Sequence, residues 1–109
     1  MKFFDSEIVR KEILDIQDLQ DEVMEGSIHL FSMPMNEKIQ HIKKLKELLT
    51  KQQTYYTRLS LSDDDGAKDQ KKYLEDSARD LGILSDGENL MTSLQTMQET
   101  LDKIIEELE

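Results

Sequence analysis

Apolar residues recur at every seventh position along three stretches of the chain. Val9, Ile16, Val23 and Leu30 form one line, and Met35, Ile42, Leu49 and Tyr56 form a second. Leu90, Met97 and Ile104 form a third, interleaved with Leu94, Leu101 and Leu108. A sevenfold repeat keeps one side of a helix turned toward a partner helix, so the pattern predicts coiled-coil-like packing. No stretch alternates with the period of two expected of a half-buried strand. The expected fold class is all-α: a long antiparallel helical hairpin, a weaker third helix and an amphipathic C-terminal helix in one helical bundle.

The boundaries follow from local chemistry. Asp5 or Ser6 can cap the first helix, and Glu7 then meets the positive end of the helix dipole. Gly26 costs ~1 kcal/mol in a helix interior, but Leu30 completes the apolar line, so the helix is expected to continue past the glycine. Ser32-Met33-Pro34 is the clearest break, with Ser32 as the cap of a second helix and Pro34 in its first turn. The short connection predicts an antiparallel hairpin on the order of 40 Å long. Ser62 and Asp65 mark the third start, and Gly82 in a left-handed conformation marks its stop, with Ile83 folding back on Ala78. Ser85-Asp86-Gly87-Glu88 reads as a capping box for the last helix. The expected helices are therefore 5–31, 34–59, 63–81 and 86–108, within a single domain 1–109.

Polar residues interrupt the seams. Gln20 and Ser27 stand at core-type positions of the first helix, and Lys46 and Gln53 at those of the second. Such residues cost stability and fix register. Helix two carries a further apolar line through Leu45 and Leu59, which predicts two neighbours for it. The third helix is weakly apolar, with only Ala67, Tyr73, Leu74, Ala78 and Leu81.

The charge distribution adds a second layer. The chain of 109 residues carries a formal charge of -10. Residues 1–33 hold three bases and eight acids, 34–61 six bases and two acids, 62–83 four and seven, and 84–109 one and seven. A basic second helix between acidic neighbours has an electrostatic reason to pair with them, although each exposed pair contributes only ~0–1 kcal/mol. Asp15, Asp18, Glu22 and Glu25 form an acidic line on helix one, and Glu99, Asp102, Glu106 and Glu109 form another on the last helix. Heptad position turns both away from the apolar seams, either as solvated faces or as docking surfaces for a basic partner. Lys44, Lys51 and Arg58 recur every seven residues on the outer side of helix two, where solvation or neutralisation of a neighbouring acidic helix outweighs phosphate contact. An acidic chain repels phosphate backbones and anionic lipid at long range, so neither nucleic acid nor a membrane is an expected partner. The opening residues meet charge too early for a signal peptide, and there is no apolar run of ~20 residues for a membrane span. With no cysteine, a cytoplasmic setting is expected.

Catalytic and metal-binding patterns are missing from the sequence. Asp63-Asp64-Asp65-Gly66 fails as a calcium loop, because aligning its glycine puts Leu61 and Lys72 at the terminal ligand positions; helix capping explains the same acids. His29 and His41 stand without HExxH, cysteine or GxSxG partners and read as ordinary helix residues. No acid occupies a clear core position that would shift its pKa. The methionines fall on or beside the seams, where core packing is the default. No cofactor, metal or catalytic residue is expected, and the chain is not expected to be an enzyme. Phe3 and Phe4 precede helix one, to pack over the hairpin end or to anchor a partner.

Three patches carry a resemblance. The opening Phe3-Phe4-Asp5-Ser6-Glu7-Ile8-Val9, the turn Tyr55-Tyr56-Thr57-Arg58-Leu59-Ser60-Leu61-Ser62-Asp63-Asp64, and Leu81-Gly82-Ile83 before a final amphipathic helix together resemble a short helical family of unknown function found in cyanobacteria. The resemblance spans most of the chain, but the Lys-rich helix two departs from the Met- and Phe-richer helix of that family, as a divergent copy carried by a cyanophage would. It implies a helical fold and an intracellular setting, in the host cytoplasm if virus-encoded, and it brings no activity.

The sequence therefore points to a non-enzymatic interaction or regulatory protein that binds a partner protein, potentially a basic one, through helix faces. The candidate partner-binding residues are Phe3, Phe4, Asp15, Asp18, Glu22, Glu25, Glu99, Asp102 and Glu106. Two alternatives are an acidic decoy that mimics nucleic acid toward a basic protein and a structural self-assembling element. A homodimer is expected, because the chain has more apolar seam than its polar third helix can cover.

Overall fold

The computed structural model describes residues 2–82, 84 and 88–109. Among the described residues there are four α-helices, α1 (Glu7–Ile28), α2 (Met35–Leu61), α3 (Asp65–Asp80) and α4 (Leu90–Leu108), with 3-10 turns at Phe3–Asp5 and Leu30–Ser32. There is no strand among the described residues. The architecture is an all-α bundle.

Each helix start is set by a particular side chain or ring. Ser6 caps α1, its Oγ accepting from the Val9 N–H at 3.4 Å. Pro34 takes the cap position of α2, and its carbonyl accepts from the N–H groups of Glu37 and Lys38. Ser32, the expected cap, instead donates to the His29 carbonyl and closes the preceding turn. Asp64 caps α3 through Ala67 N–H, while Ser62 Oγ accepts from the Asp64 N–H. The start therefore falls two residues later than a Ser62 cap would place it. Asn89 caps α4, accepting from the Met91 N–H at 2.8 Å. Most of the expected Ser85–Glu88 box, and the expected fold-back of Ile83, lie outside the described residues. Gly82 has φ +76, the left-handed region that glycine enters without a Cβ penalty and that ends α3. Nearby, the Leu84 N–H donates to the Ala78 carbonyl, and Leu84 is buried.

Helix two is the centre of the fold, with α1, α3 and α4 all packed on it. Both α1 and α4 run antiparallel to α2, as their cross-helix pairs require. Glu12 meets Arg58 and Glu22 meets Lys44 on one side; Gln98 meets Gln53 and Glu109 meets Lys43 on the other. The core gathers Val9, Ile16, Leu19 and Val23 of α1 around Leu48, Tyr55 and Leu59 of α2, with Ala67 from α3. The first apolar line thus packs as far as Val23, and Leu30 falls beyond the end of α1. On α2, Leu49 and Tyr56 are buried while Met35 is 52% exposed. Leu59, from the second line of that helix, is the most deeply buried large side chain, at 1% exposure. Helix three contributes Ala67 and Ala78 to the interior, whereas Tyr73 and Leu81 face solvent.

Candidate functional site

The basic helix α2 consumes much of the acid on its neighbours. On the α1 side, Arg58 Nε donates to Glu12 Oε2 at 2.8 Å and Lys44 approaches Glu22 at 3.6 Å. On the α4 side, Lys46 pairs with Asp102, and Lys43 pairs with Glu109 at 2.8 Å. Between them, Gln53 donates to Gln98 at 2.7 Å and Gln98 donates to Thr50 at 2.9 Å. The polar residues of the second seam, Lys46 and Gln53, therefore satisfy partners on α4. On α1, Ser27 Oγ meets His41 Nε2 at 3.2 Å and donates to the Val23 carbonyl, while Gln20 is solvent-exposed.

These contacts change the expected geometry of the acidic lines. Asp15, Asp18 and Glu22 border a surface groove between α1 and α2 together with Lys44, Glu47 and Lys51. Their spacing of 3 and 4 puts them on the flank of α1, within reach of α2, rather than on its far side. Lys44 and Arg58 likewise turn inward to α1, so the basic line is not on the outer side of helix two. Only Glu25 of the first line lies clear of these contacts, exposed near the end of α1. On α4, Asp102 and Glu109 face α2, and Glu99 and Glu106 remain exposed. The acidic candidates are thus split between intramolecular pairing and open surface.

Phe3 and Phe4 meet edge to face at 5.0 Å between ring centroids, and Phe3 lies 6.2 Å from the Tyr55 ring. Both are half-buried against the core, and the Phe4 ring lies close to Gly66. They close the end of the hairpin and join it to α3.

Two features escaped the sequence reading. Glu12 is an acid at a core-type position, three residues after Val9 and four before Ile16. Its Oε1 is buried without a hydrogen-bond partner, and its charge, after burial, raises the pKa of Tyr55. The signal for it is Leu19, seven residues on and buried at 8% exposure, whereas the register through Gln20 and Ser27 leaves Glu12 beside the seam. His41 is 7% exposed, with its ring packed against Gly26. Burial, then the hydrogen bond to Glu75, pushes the Tyr56 pKa up to about 12; its hydroxyl donates to Glu75 Oε1 at 2.6 Å.

Helices α1 and α4 flank α2 without comparable packing between themselves. A groove of about 490 Å³ opens between them on α2, and α3 forms a further wall of it through Gln70, Leu74 and Ser77. Its floor includes Leu49, Gln52 and Tyr56 of α2, and its walls Ile13, Gln17 and Gln20 of α1 with Leu90, Leu94 and Met97 of α4. None of the described residues that line it is charged, although charged residues make up 35% of the chain. Leu90 and Met97 belong to the third sevenfold line. Ile104, one heptad on, is 36% exposed, and Leu94 is the only fully buried residue of α4. The most regular seam in the sequence therefore packs on α2 through Leu94 and stays partly open along Leu90, Met97 and Ile104.

A groove of this size and polarity lies within the range of sites that take apolar occupants. It brings together no nucleophile and base, and no group of His, Asp or Glu that would hold a metal ion is found among the described residues. No described helix is long and apolar enough to cross a membrane. A family model described as a domain of unknown function (DUF1825) matches residues 1–108. No curated protein and no solved structure matches the chain.

Proposed function

The chain belongs to the family described as a domain of unknown function (DUF1825), and on that premise we propose that it is a non-enzymatic interaction protein that binds a partner protein through helix faces. One observation carries this reading: the apolar groove between α1, α3 and α4, whose described lining residues are uncharged and include the half-buried Leu90 and Met97 of the third sevenfold line. Three apolar anchors at i, i+3 or i+4 and i+7 of a docking helix would be the usual way to fill such a groove. A homodimer is the simplest form of this binding. The cyanobacterial or cyanophage source is part of the same proposal, supported by the opening Phe3–Val9 segment, as is a cytoplasmic setting, supported by the lack of cysteine.

The acidic decoy is the weaker reading. A phosphate mimic needs free carboxylates, and Glu22, Asp102 and Glu109 are already paired with lysines of α2. Site-specific photocrosslinking in the cell that makes the protein separates the two. A photoreactive residue at Gln20 or Met97 should give a discrete protein adduct, while one at Asp18 or Glu99 should not. Adducts confined to the two acidic positions, or adducts at none of the four, would sink the groove reading.

A further inference from the structure

We infer that the occupant of the groove is a second copy of this chain, with the Leu90–Met97–Ile104 line of α4 from each copy lying between α1 and α4 of the other. This inference rests on the proposal that the groove is a binding surface, and it names the partner.

The first support is the amount of surface left open. The chain exposes 7624 Å², whereas a folded monomer of its 12.8 kDa is expected to expose about 6,300 Å². The excess exceeds the ~800 Å² per partner that a standard stable interface buries. The radius of gyration, 15.5 Å, also exceeds the ~13 Å of a compact domain of this length. The extents of 47 × 32 × 21 Å describe a slab, as α1 and α4 lying side by side on α2 would produce. A second copy laid over the groove would cover part of that excess surface.

Charge supplies the second support. Two copies each carrying -10 repel one another at long range, so a like copy meets least repulsion at a surface free of acids. The groove is such a place. Its α1 wall continues beyond Ile13, Gln17 and Gln20 to Met24 and Ile28 at the same helical spacing, and these last two are 69% and 77% exposed. A basic partner would gain nothing from a wall of glutamine, methionine and isoleucine.

Self-complementarity is the third. A twofold interface must use the same patch on both copies. Here one patch holds both the furrow and the ridge to fill it. The furrow lies between α1 and α4 beside α3, and the ridge is the partly exposed Leu90–Met97–Ile104 edge of α4 that forms one of its banks. Glutamine side chains along the furrow, Gln17, Gln20 and Gln52, can donate to and accept from one another across the axis without any charge.

Sedimentation equilibrium of the purified chain tests this, with Gln20→Glu and Met97→Glu as groove variants and Glu99→Gln as a control on the outer face of α4. Gln20 is exposed, so its substitution leaves the core untouched; circular dichroism verifies that each variant remains helical. The expected result is a dimer that Gln20→Glu and Met97→Glu each weaken by about tenfold or more, since each buries an unpaired carboxylate twice per dimer, and that Glu99→Gln leaves intact. A monomer at the highest attainable concentration overturns the inference, as does a dimer indifferent to both groove variants. If the chain is monomeric and Gln20 still crosslinks to a different protein in the cell, the occupant was misassigned and the interaction reading stands. If it is monomeric and Gln20 crosslinks to nothing, both fail.

Discussion

Gly26 of α1 and His41 of α2 are fitted to each other: a Cβ built on Gly26 would lie 2.5 Å from Nδ1 of the His41 ring and 2.8 Å from Cε1. The glycine costs the helix ~1 kcal/mol of propensity and in return lets the hairpin close around a buried imidazole. On the other edge of that ring, Nε2 meets Ser27 Oγ at 3.2 Å. Ser27 spends its own proton on the Val23 carbonyl, so the oxygen is left to accept from the ring.

This pairing reverses the usual outcome of a glycine substitution. Gly26→Ala should destabilise the protein by about 1–2 kcal/mol, because overpacking by one methyl group exceeds the gain in helix propensity. With His41→Ala already in place, the same change should stabilise by ~1 kcal/mol. A double-mutant cycle by urea denaturation measures the sign in each background. Stabilisation by Gly26→Ala in the otherwise unaltered chain would show that the ring gives way freely.

Glu12 provides the second prediction. Its side chain is 15% exposed, and one oxygen relies on Arg58 while the other is buried without a partner. Arg58→Ala should cost about 1–2 kcal/mol by stranding that carboxylate, less than a fully buried pair would because Arg58 itself is half-exposed. Adding Glu12→Leu should recover most of the loss, since the position flanks Val9 and Ile16. Equal loss in the single and double variants, read from thermal midpoints, would argue against stranding as the cause.

Tyr56 sets a basic limit on stability. Its pKa in the fold is pushed up to about 12 by burial and then by Glu75, from an ordinary value of 10.0. The neutral phenol is therefore favoured in the folded state, so its contribution is complete below pH ~10 and is lost as pH rises through the folded value. Tyr56→Phe should lose the Glu75 hydrogen bond at pH 8 and show a shallower decline in the urea midpoint between pH 10 and 12. Parallel declines in the two proteins would place the basic limit elsewhere.

The residues explain how much of this was legible beforehand. Val9, Ile16 and Val23 do pack as a line, because a sevenfold repeat on a straight helix holds one face toward a neighbour. The basic segment does sit between acidic ones, and Lys43, Lys44, Lys46 and Arg58 pair on both sides as the charge blocks anticipated. What one-dimensional spacing did not reveal was depth. Ser32, Ser62 and Asn89 are all competent caps, and only the local backbone decides which of the available side chains meets a free N–H group. Heptad position alone turns the acidic lines outward, because apolar residues define the inside, yet long lysine side chains reach the flank of a neighbouring helix. The groove could not be seen at all. A heptad line states that a helix wants a partner, and the packing of all three other helices onto α2 is what leaves one edge of the α4 line, Leu90, Met97 and Ile104, only partly covered.

Salt separates an apolar self-interface from the ion pairs that decorate the fold. Apart from Glu12–Arg58, the cross-helix pairs are half-exposed and each contributes ~0–1 kcal/mol; raising the ionic strength screens them, so the thermal midpoint at fixed dimer occupancy should change little. The dimer should respond in the opposite direction. Two copies of charge -10 meet through an uncharged groove, and at 0.1 M salt the Debye length is already ~10 Å. Added salt therefore removes repulsion between the acidic surfaces around the interface while leaving its apolar contacts in place. The dimer dissociation constant should fall between low and moderate salt, as measured by sedimentation with an inert salt such as sodium chloride. A decoy bound to a basic target behaves the other way, since screening removes the attraction that holds it. If the dimer weakens as salt rises, its interface is ion-paired, and the acidic lines rather than the groove are the surface through which this chain finds a partner.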